Sequence, residues 1–133
     1  LEAFNRERLK NIKRELKEKM FADHGINIIS AIVEVENAAM VKDLAFSLRG
    51  EVDNLFLALG ADIGGKPNIT VMISDNLVEE KGLNAAKIVL EAGREIKGGG
   101  GGQKFYATAG GKDVTGLAKA MEKVLSYLNV NRI

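Results

Sequence analysis

The residue pattern predicts an α/β (α+β) protein: a mixed β-sheet covered by helices and preceded by a long N-terminal amphipathic helix. Two observations carry this. Segments with apolar residues every three or four positions alternate with β-branched and aliphatic runs, and Asn, Asp and Gly stand where those segments begin and end. The order favours helices on one face of a mixed sheet, a two-layer arrangement.

Residues 1–24 read as helix. Leu9, Ile12, Leu16 and Met20 form one apolar stripe, Glu15 and Lys19 stand four apart, and Gly25 is placed to stop the helix in the left-handed conformation. The stripe either packs on its own domain or belongs to a coiled coil, in which case the helix forms a homodimer, or the helix is a tether. Residues 1–25 are thereby set apart from a globular domain over 26–133. "INIISAIVEVE" reads as a buried strand. Asn37 caps a helix through Arg49, with Ala38, Val41, Leu44, Ala45 and Leu48 inward and Gly50 at its end. "NLFLALGAD" and "ITVMISD" read as a hairpin joined by a "GGKPN" turn that holds the only proline. "NLVEEKGLN" reads as irregular or as a short helical turn. Asn84 caps a helix to about Lys97, with Ala85, Ile88, Val89, Ala92 and Ile96 inward. "KFYATA" reads as a short strand, and Asp113 or Thr115 caps a last helix with Leu117, Met121, Val124, Leu125 and Leu128 inward.

The composition is that of an ordinary globular protein, with 46% apolar and 28% charged residues. No cysteine is present, so disulfide and thiolate chemistry are excluded, which fits a cytoplasmic protein. No apolar run spans a bilayer, so no membrane partner is expected. The chain opens at Leu1 inside a charged helical segment, which reads as a piece of a longer protein. The formal net charge is only +1, but it is unevenly spread. Arg94, Lys97, Lys104 and Lys112 face Glu95 alone between residues 94 and 112, an asymmetry that suits a polyanion.

No catalytic set is visible. His24 is the only histidine, so an ordinary zinc site is excluded; Asp53, Asp62 and Asp75 read as turn and cap residues, and Ser74 and Thr108 have no partner base. Catalytic and metal residues are therefore expected to be absent from this chain.

The segment "GGGGGQKFYATAGGK", Gly98 to Lys112, stands apart. Chain on both sides folds against the same core, so an ordered loop is expected rather than a linker. One reading is structural, a loop that lets helix and sheet approach. The other is a ligand site, in which bare backbone N–H groups form an anion-binding concavity bracketed by Lys104 and Lys112. There Lys97, Lys104 and Lys112 contact phosphates, Gln103 reads a polar edge, and Phe105 or Tyr106 offers a stacking plate. A bulky residue at Gly100 is expected to keep the ligand out. Neither a Walker loop nor a dinucleotide fingerprint fits, since the run follows a helix and Lys104 precedes Phe105.

"IKGGGGGQKFYATAGGKD" followed by an amphipathic helix resembles the C-terminal domain of bacterial alanyl-tRNA synthetases. Gly98–Gly102, Ala107, Ala109, Gly110, Gly111, Lys112 and Asp113 carry the resemblance, and "MVKDLAFSLRGEVDN" and the hairpin support it. It implies a domain of the DHH-associated type that binds alanine-accepting tRNA at the outer corner. It also implies support for aminoacylation and editing carried by the rest of the synthetase. The glycine segment is then the expected tRNA contact, through Lys97, Gly98, Gly99, Gly100, Gly101, Gly102, Gln103, Lys104, Phe105, Tyr106, Gly110, Gly111 and Lys112. ATP, Mg and Zn are implied as cofactors of the parent enzyme and none for this piece. The alternative is the substrate-binding lobe of a DHH-family phosphoesterase. Those relatives usually carry a histidine after the glycines, where this chain has Gln103.

Overall fold

The computed structural model describes residues 2–23 and 25–129. Its elements run α1 (Glu2–Glu18), β1 (Phe21–Asp23), β2 (Ile26–Glu34), α2 (Ala38–Glu51), β3 (Leu55–Ile63), β4 (Lys66–Ile73), α3 (Asp75–Lys81), α4 (Ala85–Ala92), β5 (Gly99–Gly102), β6 (Tyr106–Gly110) and α5 (Leu117–Asn129). Short 3-10 turns at Gly93–Ile96 and Val114–Gly116 complete them. One sheet holds all six strands in the order β1-β2-β3-β4-β6-β5. β2 and β3 are parallel, joined through α2, and every other pair is antiparallel.

The fold class is the one the sequence predicts, with one more layer. Leu55 to Leu59 and Ala61 are wholly buried, so both faces of β3 are covered. An unbroken apolar run, without alternation, is the signature of such a strand. α1 and α2 cover one face, where Leu16, Leu44, Leu48, Leu57 and Met72 share a core. α3, α4 and α5 cover the other, around Phe56, Ile69, Val71, Ile88 and Val124.

Several local expectations are corrected. The first helix ends at Glu18 rather than 24, because Phe21–Asp23 pairs with Ile26–Ile28 as a short edge strand. Gly25, at φ +80°, sits in the β1–β2 turn instead of terminating the helix. His24 lies outside the described residues. The stripe Leu9, Ile12, Leu16 and Met20 packs on the chain's own core, and Leu16 is fully enclosed. Lys13 and Lys17 clamp the same helix to Glu51 at the end of α2, with Lys13 Nζ 2.5 Å from Oε2. In α2, Met40 takes the inward place assigned to Ala38, which is exposed; Asn37 caps as predicted, accepting from Met40 N at 3.1 Å, and Gly50 lies inside the helix. The β3–β4 turn is only Gly64 and Gly65, both at positive φ. That conformation suits a two-residue hairpin, so Pro67 falls inside β4 opposite Asp62. "NLVEEK" completes a seven-residue helix, α3, closed by left-handed Gly82.

Candidate nucleic-acid interface

The glycine run is an edge strand, not a loop. β5 pairs with β6 in the register Gly99↔Gly110, Gly100↔Ala109, Gly101↔Thr108 and Gly102↔Ala107. The reason for glycine differs between alternate positions. A Cβ on Gly98 would lie 1.9 Å from Gly110 O, on Gly100 2.1 Å from Thr108 O, and on Gly102 2.6 Å from Tyr106 O. Those distances are far inside van der Waals contact, so the backbone of β6 itself excludes side chains there. The 3-10 turn that follows α4 closes in on the same side: the Cβ position of Gly93 is 3.6 Å from Gly99 Cα, and Gly98 N donates to Gly93 O at 2.9 Å. A Cβ on Gly99 or Gly101 would meet nothing within 4 Å. A bulky residue at Gly100 would therefore break the sheet before it reached any ligand, which corrects the expectation that it acts by exclusion.

Across the sheet, Gly99 shares a row with Gly110 and Asn68, and Gly101 with Thr108 and Thr70. The next row holds Tyr106 and Met72, which pack into the α1–α2 core. α2 reaches this half of the sheet through Phe46 and Arg49. The Phe46 and Tyr106 rings lie 5.0 Å apart at 47°, and the Arg49 guanidinium lies 5.0 Å from the Phe105 ring centroid. Arg49 also pairs with Asp75 at 3.1 Å. The two-glycine side of β5 thus continues over half-buried Thr108 to Asn68 and closes at Thr70, which is buried.

The predicted residues fall into two groups at opposite ends of the β5–β6 hairpin. Lys97, Gly98, Gly110, Gly111 and Lys112 line a cleft of about 460 Å³ with Ile63, Lys66, Pro67 and Asn68. Lys97 adopts the left-handed conformation (φ 54°) where the 3-10 turn hands over to β5. Gln103 and Lys104 are exposed in the turn at the far end. Phe105 and Tyr106 are both half-buried and already engaged, so neither is the free stacking plate expected of it. Burial pushes the Tyr106 phenol above its usual pKa. Phe46, 40% exposed, is the more open ring. Asp113 caps the Val114–Gly116 turn, and its hydrogen bond from the Thr115 hydroxyl, helped by Lys97 nearby, holds its carboxyl below the ordinary range.

Lys66, Asn68, Phe46 and Arg49 were missed. A partial signal was present: "KPN" opens the strand with Lys66 and Asn68 on one side and buried Pro67 on the other, although Thr70 and Met72 further along the first side are buried. Alternation in a strand means that one face is not fully covered. Among the described residues no group of three or more His, Asp or Glu is placed to hold a metal, and no helix is long and apolar enough to cross a membrane.

The chain is 44% identical over 131 residues to an alanine–tRNA ligase of Cytophaga hutchinsonii, covering 98% of this chain and 15% of that protein. It is equally similar, over the same shares, to an alanine–tRNA ligase of Bacteroides thetaiotaomicron. It therefore spans about 15% of the length of the curated relatives it matches. Its fold matches the C-Ala domain of Aquifex aeolicus alanyl-tRNA synthetase with a TM-score of 0.72 at 24% identity, covering 83% of this chain and 97% of that one. Thermus thermophilus RecJ in complex with Mg²⁺ shares the fold at a TM-score of 0.63 and 17% identity, covering 98% of this chain and 18% of RecJ. The DHHA1 domain model matches residues 25–130, and the chain belongs to the DHHA1 domain family.

Proposed function

We propose that this chain is the tRNA-binding C-terminal module of an alanine–tRNA ligase, and that RNA lies on the open side of the β6–β5 hairpin. The observation that carries the reading is the open side of β5. Gly99 and Gly101 are bare where the chain itself would accept a side chain, and the same face runs into lysines at both ends of the hairpin. The 44% identity to alanine–tRNA ligases, against 17% to RecJ, supports the synthetase over the phosphoesterase lobe.

In this reading the partners are an alanine-accepting tRNA and the remainder of the synthetase, in the cytoplasm. Lys97, Lys104 and Lys112 neutralise phosphates, Gln103 offers a polar contact, and the glycines admit the sugar-phosphate backbone. Aminoacylation and editing, with ATP, Mg and Zn, belong to the remaining part of the enzyme; this module contributes binding. The packing of Leu9, Ile12, Leu16 and Met20 on the chain's own core favours α1 as part of this module over α1 as a dimer seam.

The test is tRNA binding by wild type, Gly101→Val and Lys97→Ala/Lys112→Ala, with circular dichroism as the folding control. Gly101→Val is expected to stay folded and bind weakly. The double lysine variant is expected to lose about two units of salt slope. Three folded proteins with equal affinity would move the RNA to another face.

A further inference from the structure

We propose that the cleft between the β3–β4 hairpin and the start of β5 holds one ribose-phosphate unit of a polynucleotide. Lys66 is a phosphate ligand equal in weight to Lys97 and Lys112, and Asn68 faces the sugar. The inference rests on the RNA-binding reading and locates a single nucleotide within it. Three separate segments bring the lysines to one cleft: the hairpin, the end of the 3-10 turn and the chain after β6. Among the described residues none of the three is in an ion pair. The carboxylates nearest in sequence and pairing, Asp62 and Asp113, lie outside the lining and are held in their own turns. Asp62 accepts from Gly65 N at 2.9 Å, and Asp113 accepts from Thr115 N at 3.1 Å and from the Thr115 hydroxyl. Three lysines and no carboxylate in the lining itself suit a phosphate.

The rest of the lining selects what carries the phosphate. Gly98, Gly110 and Gly111 bring main chain to the cleft wall with no side chain in the way. Ile63 and Pro67 supply an apolar side for a furanose ring. Asn68 Oδ1 accepts the Thr70 hydroxyl at 3.3 Å, which leaves its amide N–H groups as donors for a sugar hydroxyl. No aromatic ring lines the cleft; Phe46, Phe105 and Tyr106 gather at the other end of the hairpin. A free nucleotide would find no platform for its base there, whereas a backbone unit of a polymer needs none.

The experiment follows backbone amide shifts of the 133-residue chain in titrations with inorganic phosphate and with AMP, beside tRNA binding. AMP is expected to move the amides of Lys66, Asn68, Gly98 and Gly111 in the millimolar range. Lys66→Ala should weaken AMP as much as Lys112→Ala does, by a few-fold. Asn68→Ala should bring AMP down to the affinity of inorganic phosphate. Lys66→Ala should also reduce the salt slope for tRNA by about one unit. If neither probe moves those amides, or if Lys66→Ala changes neither titration, the proposal is overturned even where tRNA binds. If tRNA fails to bind while AMP still moves the cleft amides in a Lys66-dependent way, the cleft stands and the RNA reading falls.

Discussion

The two halves of this sheet are built to opposite specifications. From β2 to β4 it is sandwiched, with α1 and α2 above and α4 and α5 below, and its strands carry Ile, Leu, Phe, Val and Met. Over β6 and β5 it has α4 beneath and a largely uncovered upper face, and beyond Tyr106 its strands carry only Ala, Thr and Gly. The sandwiched half derives its stability from side chains. The half-bare half derives it from backbone pairing at distances that side chains would forbid. The candidate site occupies the second half, where main chain is within reach of a ligand.

The sharpest break in this comparison is Gly100→Val. With Thr108 O 2.1 Å from the Cβ position, β5 must leave the sheet, and a loss above about 4 kcal/mol is expected in thermal unfolding. A variant with wild-type melting would mean that β5 is not paired as described. In the sandwiched half, Leu57→Ala removes a wholly buried side chain from the core under α2. A loss of about 2–5 kcal/mol is expected, read as a lower denaturant midpoint at unchanged m-value.

A smaller effect belongs to the clamp on α1. Hydrogen bonds from Lys13 and Lys17 lower the Glu51 pKa from 4.5 to about 2. Because the folded-state value is the lower one, the clamp contributes fully above pH 4.5 and is lost as pH falls towards 2. Glu51→Gln should therefore unfold more easily than wild type near neutrality, with the difference vanishing at the acid end and shrinking in salt. A difference that persists below pH 2 would assign the effect to something other than charge. The smallest change in stability is expected for Gly101→Ala, within about 0.5 kcal/mol, since its Cβ position is open. On the proposed function the same variant binds tRNA more weakly, so one substitution separates folding from recognition.

The sequence announced the sandwiched half well. Periodicity placed α2, α4 and α5, and Asn37 and Asn84 cap two of them as read. The unbroken run through Leu55–Ala61 should also have announced helices on both faces. Propensity alone did not reveal β1, three residues that are a strand only because β2 offers an edge to pair with. Nor did it reveal β5, since four glycines have no strand preference, and only the partner β6 makes them one. The site was legible where it lies along the chain, from Lys97 to Lys112. It was not legible where the sheet imports residues from far away: Lys66 and Asn68 come through β4, and Phe46 and Arg49 through α2.

A strand made only of glycine has the largest backbone freedom to lose on ordering, and β6 is the one strand β5 pairs with. The amides that tie it to β6 should therefore be among the first to exchange with solvent, ahead of those joining β3 to β4. A ligand resting on Gly99 and Gly101 would bind only the ordered strand. Occupancy and local order would then rise together, with exchange slowed at β5 and β6 and little altered at β2 and β3. The softest part of the sheet would thus report on the ligand it holds.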